Sequence, residues 1–294
     1  MKKQLNSDLA LNGVFYVFIT LFALFCLLPF ILVVMSSFTD EVVLMQDGFR
    51  LFPKKFSTEA YRFVLKTNKI FNAYKVTIFV TVVGTALSLL FTTMMAYPLS
   101  AHNVKYRNKM AFFVYFTMLF HGGLVPTYIL ITRYLQLKNN IWVLIIPALI
   151  SPWNMFLMRN FFRQLPESFV ESAKIDGAND LVILRKIILP ISLPSMATIG
   201  LFYALAYWNE WFRVLLYIDD SKLFSLQYLI MAILRSISFA ADIAQEGGLT
   251  DYSFLPTYSV RMATLVVVIG PIIFVYPFIQ KYFIKGLTVG GVKG

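Results

Sequence analysis

Cysteine is almost missing: Cys26 is the single one in 294 residues, and it sits inside an apolar run. No intrachain disulfide can form, and no cysteine cluster is available for metal or redox chemistry. Histidine is nearly as scarce, with only His102 and His121, and no H-E-x-x-H pattern occurs. His102 lies in a basic loop and reads as a solvated side chain. His121 stands beside Gly122-Gly123 in an apolar run and reads as an interfacial or helix-end histidine rather than a proton relay. The phosphate-cradling pattern G-x4-GK[ST] is absent, so the chain holds no P-loop. Gly290-Gly291 follows no strand and opens no dinucleotide fold. Charged residues make up only 14% of the chain. Together these gaps argue against metalloenzyme, disulfide-scaffold and nucleotide-hydrolase classes, and no catalytic or metal-ligating constellation is expected.

What the sequence has is apolar surface. Hydrophobic residues reach 59%, with 29 Phe and 16 Tyr. A water-soluble domain of this length could hardly hide that much, whereas a polytopic membrane protein need not. The formal charge of +11 is scattered over loops rather than striped on one face. Basic loops facing anionic lipid explain it, and no nucleic-acid partner is expected.

Apolar runs predict six transmembrane helices, at about 13–38, 72–99, 110–132, 141–162, 191–212 and 262–280. Residues 1–12 form a short polar start. The run 13–38 is too long for a signal-peptide core and reads as an uncleaved first span, kinked at Pro29. Residues 39–70 form a mixed-charge segment outside the membrane. In the second span Gly84, Ala86 and Ser88 suit close helix packing. In the third, Gly122, Gly123 and Pro126 predict a break or kink. Pro147 and Ser151-Pro152 interrupt the fourth. A long connection, 213–260, is helical in pattern over 223–239 and carries Gly247-Gly248 at its middle. Residues 281–294 form a tail. Six spans put both termini on one side. Charge counts barely separate the two sides, although the acid-free loop 102–109 favours the inside.

Polar groups within spans are costly unless used. Asn154 and Arg159 in the fourth span, with Asn209 and Glu210 in the fifth, are candidates for lining a pathway. Arg159 and Glu210 also fit membrane interfaces, with their charged ends in water. Trp153, Tyr207, Trp208 and Trp211 can stack on sugar rings or belong to an interfacial belt, and Trp208 and Trp211 suit the belt better.

The most informative stretch is the polar interruption 166–194, PESFVESAKIDGANDLVILRKIILPISLP. It predicts two short helices joined by a turn. Pro166 suits a first helical turn, Gly177 a left-handed helix end, and Asn179 or Asp180 the next cap. Pro190 and Pro194 break the chain as it returns to apolar sequence. Ala173 and Gly177, at i and i+4, make a small-residue ridge on which another backbone can sit.

The spacing Glu171-Ser172-Ala173, three residues, Gly177, nine residues, Ile187-x-Leu189-Pro190 resembles the EAA loop of ABC-importer permeases. Ser172 replaces the commoner alanine. Asp176-Gly177-Ala178 with Leu189-Pro190 and Pro194 resembles the carbohydrate-uptake branch. FLMRNFF before the loop and WNEWF after it extend the likeness to maltose-transporter-type permeases. GGLVPTY resembles a subgroup for complex oligosaccharides.

The resemblance implies an all-α polytopic membrane protein with the type I (MetI-like) permease fold, its shared core at 70–280. It implies an importer subunit of a bacterial-type cell membrane with both termini cytoplasmic, itself no enzyme. The loop 166–190 would carry the coupling helix, with Glu171, Ser172, Ala173, Lys174, Asp176, Gly177, Ala178, Leu189 and Pro190 meeting an ATPase. Expected partners are a second, non-identical permease subunit, two ATPase subunits that use ATP and Mg, and an extracytoplasmic solute-binding protein. Gly247-Gly248 would be the tip of a loop reaching that protein. Asn154, Tyr207, Asn209 and Glu210 are the expected pathway residues. This chain would bind no cofactor. An amino-acid or polyamine permease would share the coupling loop, with a shorter connection between the last two spans. A secondary transporter would need inverted repeats and buried acids, which the sequence lacks.

Overall fold

Proline and glycine mark several of the helix breaks in this chain, although Pro29, Gly84, Pro98 and Gly200 lie within continuous helices. The structure, a computed structural model, describes residues 2–66, 68–235, 258–270 and 273. Its described residues are helical apart from short turns and one antiparallel bridge between Thr39 and Phe56. Contacts divide them into two compact units: residues 1–68 with 232–271, and 69–231 with 272–294.

In the first unit, α1 runs Lys2–Ser37 and continues through Pro29 without interruption. Its 27-residue apolar part, Leu11–Ser37, is long enough to cross a membrane. Apolar side chains cover every side of it, as expected of a helix solvated by lipid or by other helices. The segment that follows is tied down. Asp40 caps α2 (Glu41–Asp47) by accepting from the Val42 N–H. Lys55 forms an ion pair with the Asp40 carboxylate at 2.8 Å. The Ser57 N–H donates to the Phe38 carbonyl, and the Tyr61 hydroxyl of α3 (Glu59–Leu65) bonds Ser37 at 2.7 Å. The Glu41 carboxylate accepts from the Tyr258 and Ser259 N–H groups, both at 2.8 Å. Those are the free donors at the start of a helix over Tyr258–Gly270, where a carboxylate is favourable. That helix begins the expected sixth span, of whose remainder only Ile273 is among the described residues.

The second unit is built on α4 (Asn68–Ser100), 33 residues and continuous. At 1.5 Å per residue it is about 50 Å long, more than a membrane core requires. The other expected spans of this unit are broken. α5 (Arg107–Leu119) and α6 (Leu124–Ile129) meet at 110° across Phe120–Gly123, where Gly123 takes φ +88°. The fourth span is not one α-helix. Its first half is two tight 3₁₀ turns, Ile141–Leu144 and Ile146–Ala148, and α7 (Pro152–Arg163) follows at 49°. Pro147 and Pro152 lack the N–H that a continuous helix would need there. Next come α8 (Ser168–Ile175), α9 (Asp180–Ile183), α10 (Leu189–Ile191) and α11 (Leu193–Trp208). Residues Leu184–Ile188 widen into a π turn just before Pro190, which cannot donate to the carbonyl of Lys186. The path turns by 84° between Ile191 and Leu193. α12 (Phe212–Tyr217) closes the set, and an apolar helix over Leu226–Arg235 matches the pattern expected at 223–239.

Two sets of contacts mark the ends of this unit. At one, the Asn72 side chain donates to the Lys222 carbonyl. There too the Asn139 side-chain oxygen accepts from the Asp219 and Asp220 N–H groups. At the other, Arg159 Nε donates to the Leu99 carbonyl at 2.9 Å. Asn72 and Leu99 are 27 positions apart on α4, about 40 Å along the axis. The loop 164–192 therefore lies at one end of a membrane-length body, and the loops 135–140 and 218–224 at the other.

Candidate functional site

The loop after α7 is shaped by local chemistry. Pro166 stands just before α8 rather than in its first turn; Glu167 is the N-cap, and the Phe169 N–H donates to the Pro166 carbonyl. α8 ends at Asp176. Gly177 has φ +79°, and the Gly177 and Ala178 N–H groups return to the Lys174 and Ala173 carbonyls. This is the left-handed helix end that glycine adopts without Cβ strain. Asn179 Oδ1 accepts from the Val182 N–H at 2.9 Å and starts α9. Asp180 is its first helical residue and lies 3.7 Å from Lys174 Nζ.

The faces of α8 are the main departure from expectation. Ala173, assigned to a ridge offered outward, is 7% exposed and packs in the chain's own core. Two positions further, about 200° around a helix, Ile175 is 87% exposed. Leu181 is 71% exposed, and Phe169 and Val182 are also open. Glu171, Ser172, Lys174, Asp176 and Gly177 share that outer surface, Ala178 is half-buried, and Leu189 and Pro190 flank it, half-buried and exposed. The outer surface is thus a polar rim around exposed Ile175 and Leu181, which the motif spacing did not single out. For Ile175 the available signal is its offset of two positions from Ala173 on the same helix; Leu181 follows the turn at Gly177 and has no such signal.

His102 is not simply solvated. Its Nδ1 pairs with the Glu167 carboxylate, joining the turn after α4 to the cap of α8. Behind the pair is a cleft of about 210 Å³, lined by Tyr97, His102, Arg163, Glu167, Lys174 and Asp180 among others. Arg159 is half-buried and spends its Nε on an end carbonyl of α4, which has no partner within its own helix.

The expected pathway residues differ in exposure and in partners. Asn154 is 6% exposed near the start of α7. Tyr207 is 2% exposed, with its hydroxyl bonded to Ser88 Oγ at 2.9 Å and to the Ile145 carbonyl at 3.2 Å. Asn209 is exposed at the end of α11 and donates to the Leu205 carbonyl. Glu210 accepts from the Arg213 backbone N–H and from Nε, both at 2.7 Å, and so ties the residue before the N-cap Trp211 to the first turn of α12 and pairs with its one arginine. Neither Tyr207 nor Glu210 presents an unused polar group. Trp211 is 39% exposed, in keeping with an interfacial residue. Trp208 instead has its indole N–H enclosed without a partner. His121 is exposed at the break between α5 and α6. Gly247 and Gly248 lie outside the described residues, as does the tail 281–294. Among the described residues no group of His, Cys, Asp or Glu is arranged to hold a metal.

Comparison with known proteins places this architecture. A family model for a binding-protein-dependent transport system inner membrane component matches residues 79–289. The polygalacturonan/rhamnogalacturonan transport system permease protein YtcP of Bacillus subtilis (strain 168) is 44% identical over 280 residues, 95% of this chain and 96% of that protein. The arabinooligosaccharides transport system permease protein AraQ of Halalkalibacterium halodurans is 29% identical over 300 residues, covering all of both chains. Among solved structures, a chain of a bacterial ABC transporter that imports the acidic polysaccharide alginate superposes with a TM-score of 0.82 at 33% identity, covering 94% of this chain and 98% of that one. The all-helical fold is accordingly that of an ABC-importer permease. The chain is a member of the family of binding-protein-dependent transport system inner membrane components.

Proposed function

We propose that this chain is the membrane-spanning permease subunit of an ATP-driven importer whose cargo is an oligosaccharide carrying uronate carboxylates. The observation that carries the reading is the 44% identity, over nearly the full length of both chains, to a permease named for polygalacturonan and rhamnogalacturonan. The likeness to the alginate importer points to the same chemistry.

The loop 164–192 is the place for energy input. Exposed Ile175 and Leu181 would each gain roughly 1.5–3 kcal/mol from full burial against a partner. The rim of Glu171, Ser172, Lys174 and Asp176 would fix the register. The partner is an ATPase, which holds the ATP and Mg that this chain does not bind. Two such ATPase subunits, a second, non-identical permease subunit and an extracytoplasmic binding protein complete the assembly. The loop and both termini then face the cytoplasm, and the loops 135–140 and 218–224 face outward. ATP binding favours one arrangement and the loaded binding protein the other, and differential affinity of this kind is what moves a two-state transporter.

The test is uptake by vesicles holding the complex purified through a tag on this chain. Oligogalacturonates should be accumulated with ATP and should compete at least tenfold better than neutral maltooligosaccharides. Equal or better transport of the neutral sugars would overturn the uronate assignment.

A further inference from the structure

α4 and α11 cross at glycines. A Cβ on Gly84 would lie 2.8 Å from the Tyr207 ring, and one on Gly200 would lie 3.1 Å from Leu89. Beside the crossing run two parallel polar rungs. Ser88 and Thr92 are one turn apart on α4, and Tyr207 and Tyr203 are one turn apart on α11. Tyr207 bonds Ser88 at 2.9 Å and donates to the Ile145 carbonyl. Tyr203 bonds Thr92 at 2.6 Å and accepts the Ser151 N–H at 3.0 Å. Ser88, Thr92 and both tyrosines are at most 2% exposed.

The third partner in each rung is main chain, at the two points where the fourth span is not α-helical. Ile145 lies between the two 3₁₀ turns, and Ser151 is the N-cap that precedes Pro152. Irregular backbone at membrane depth persists only where protein satisfies its polar groups. Here Tyr203 supplies an acceptor for the Ser151 N–H, and Tyr207 a second donor to the Ile145 carbonyl, which also accepts from the Ala148 N–H at 3.1 Å. Networks that are buried and fully satisfied make the elements they join rigid.

We propose that Tyr203 and Tyr207 are positioning residues that lock α4, the broken segment 141–163 and α11 into one body, so that displacement of the loop 164–192 moves α4 with it. This rests on the import reading above, because the loop is taken as the point of energy input. Tyr207 thereby acts through the backbone it holds and not through contact with the transported solute.

The experiment uses the full chain in its purified complex, with Cys26→Ser as background. Spin labels are placed at Lys75 with Arg163, and at Lys75 with Leu193. Both distances should differ by less than about 2 Å, the scale of small helix shifts, between nucleotide-free and nucleotide-trapped states. The Tyr203→Phe/Tyr207→Phe double variant keeps the rings and removes only the hydroxyls. It should assemble normally, show shifted or broadened distances, and transport severalfold less solute per ATP hydrolysed. Unequal distances across the cycle in the unaltered chain, or an unchanged transport-to-hydrolysis ratio in the double variant, would overturn the proposal. The distances involve no solute, so their failure leaves the import reading intact. Absence of ATP-driven uptake by the unaltered complex would remove that reading and the proposal with it.

Discussion

Gly84 and Gly177 are both glycines that the fold favours, for different reasons. At Gly84 the limit is space. A methyl group would strike the Cε2 and Cζ atoms of Tyr207, each 2.8 Å away, and that ring is held by its own hydrogen bonds. Gly84→Ala should therefore destabilise the folded protein by about 1–3 kcal/mol, the usual cost of overpacking. A fall in the detergent-solubilised Tm would show it, and an unchanged Tm would mean that the crossing has slack. At Gly177 there is open space around the residue, and the limit is its φ of +79°. The role of Gly177 is legible in sequence because it depends on neighbours in the chain, as does the capping by Asn179. Tyr207 is not legible in that way. Its type suits a sugar-lined pathway and a buried network equally, and only the placement of Ser88 and Ile145 reveals the network.

At the scale of elements, breaks were readable and their geometry was not. Gly122-Gly123, Pro147 and Pro152 weaken a continuous helix, since each removes a donor or favours another conformation, although α1 tolerates Pro29 and α4 tolerates Pro98. They do not announce a turn of 110°, or 3₁₀ turns in place of an α-helical half-span. Those follow from what the freed backbone groups find nearby. The inward direction of Ala173 on α8 is hidden from the sequence for a related reason. Small residues serve close packing in either direction, and Ala173 uses it inward. The segment after α1 allows a direct test. Lys55 bonds to the Asp40 carboxylate and holds its pKa below the ordinary value, and Asp40 in turn raises that of Lys55. A lowered acid contributes stability above its unfolded pKa and loses it as pH falls through the folded one. A raised base contributes below its unfolded pKa and loses it as pH rises through the folded one. The clasp should thus persist between about pH 4 and pH 10. Protection factors at the Asp40 and Ser57 amides, corrected for the intrinsic pH dependence of exchange, should fall as pH drops below that window, and unchanged protection at about pH 2–3 would show that the ion pair does not hold the segment.

For the whole molecule, the apolar composition and the six runs pointed to a polytopic membrane protein, and the EAA-type spacing to its family. The chain's likeness to the alginate importer and to YtcP agrees with both. The central claim is that the loop 164–192 receives the work of ATP hydrolysis. The most direct test is Gly177→Asp in the assembled complex, with Gly177→Asn as a control of similar size that shares the tolerance for positive φ but adds no charge. The aspartate variant should insert and fold, yet lose ATP-dependent uptake at least tenfold, while the asparagine variant retains most of it. Normal uptake and normal solute-stimulated ATP hydrolysis in Gly177→Asp would contradict the assignment of this loop as the coupling surface.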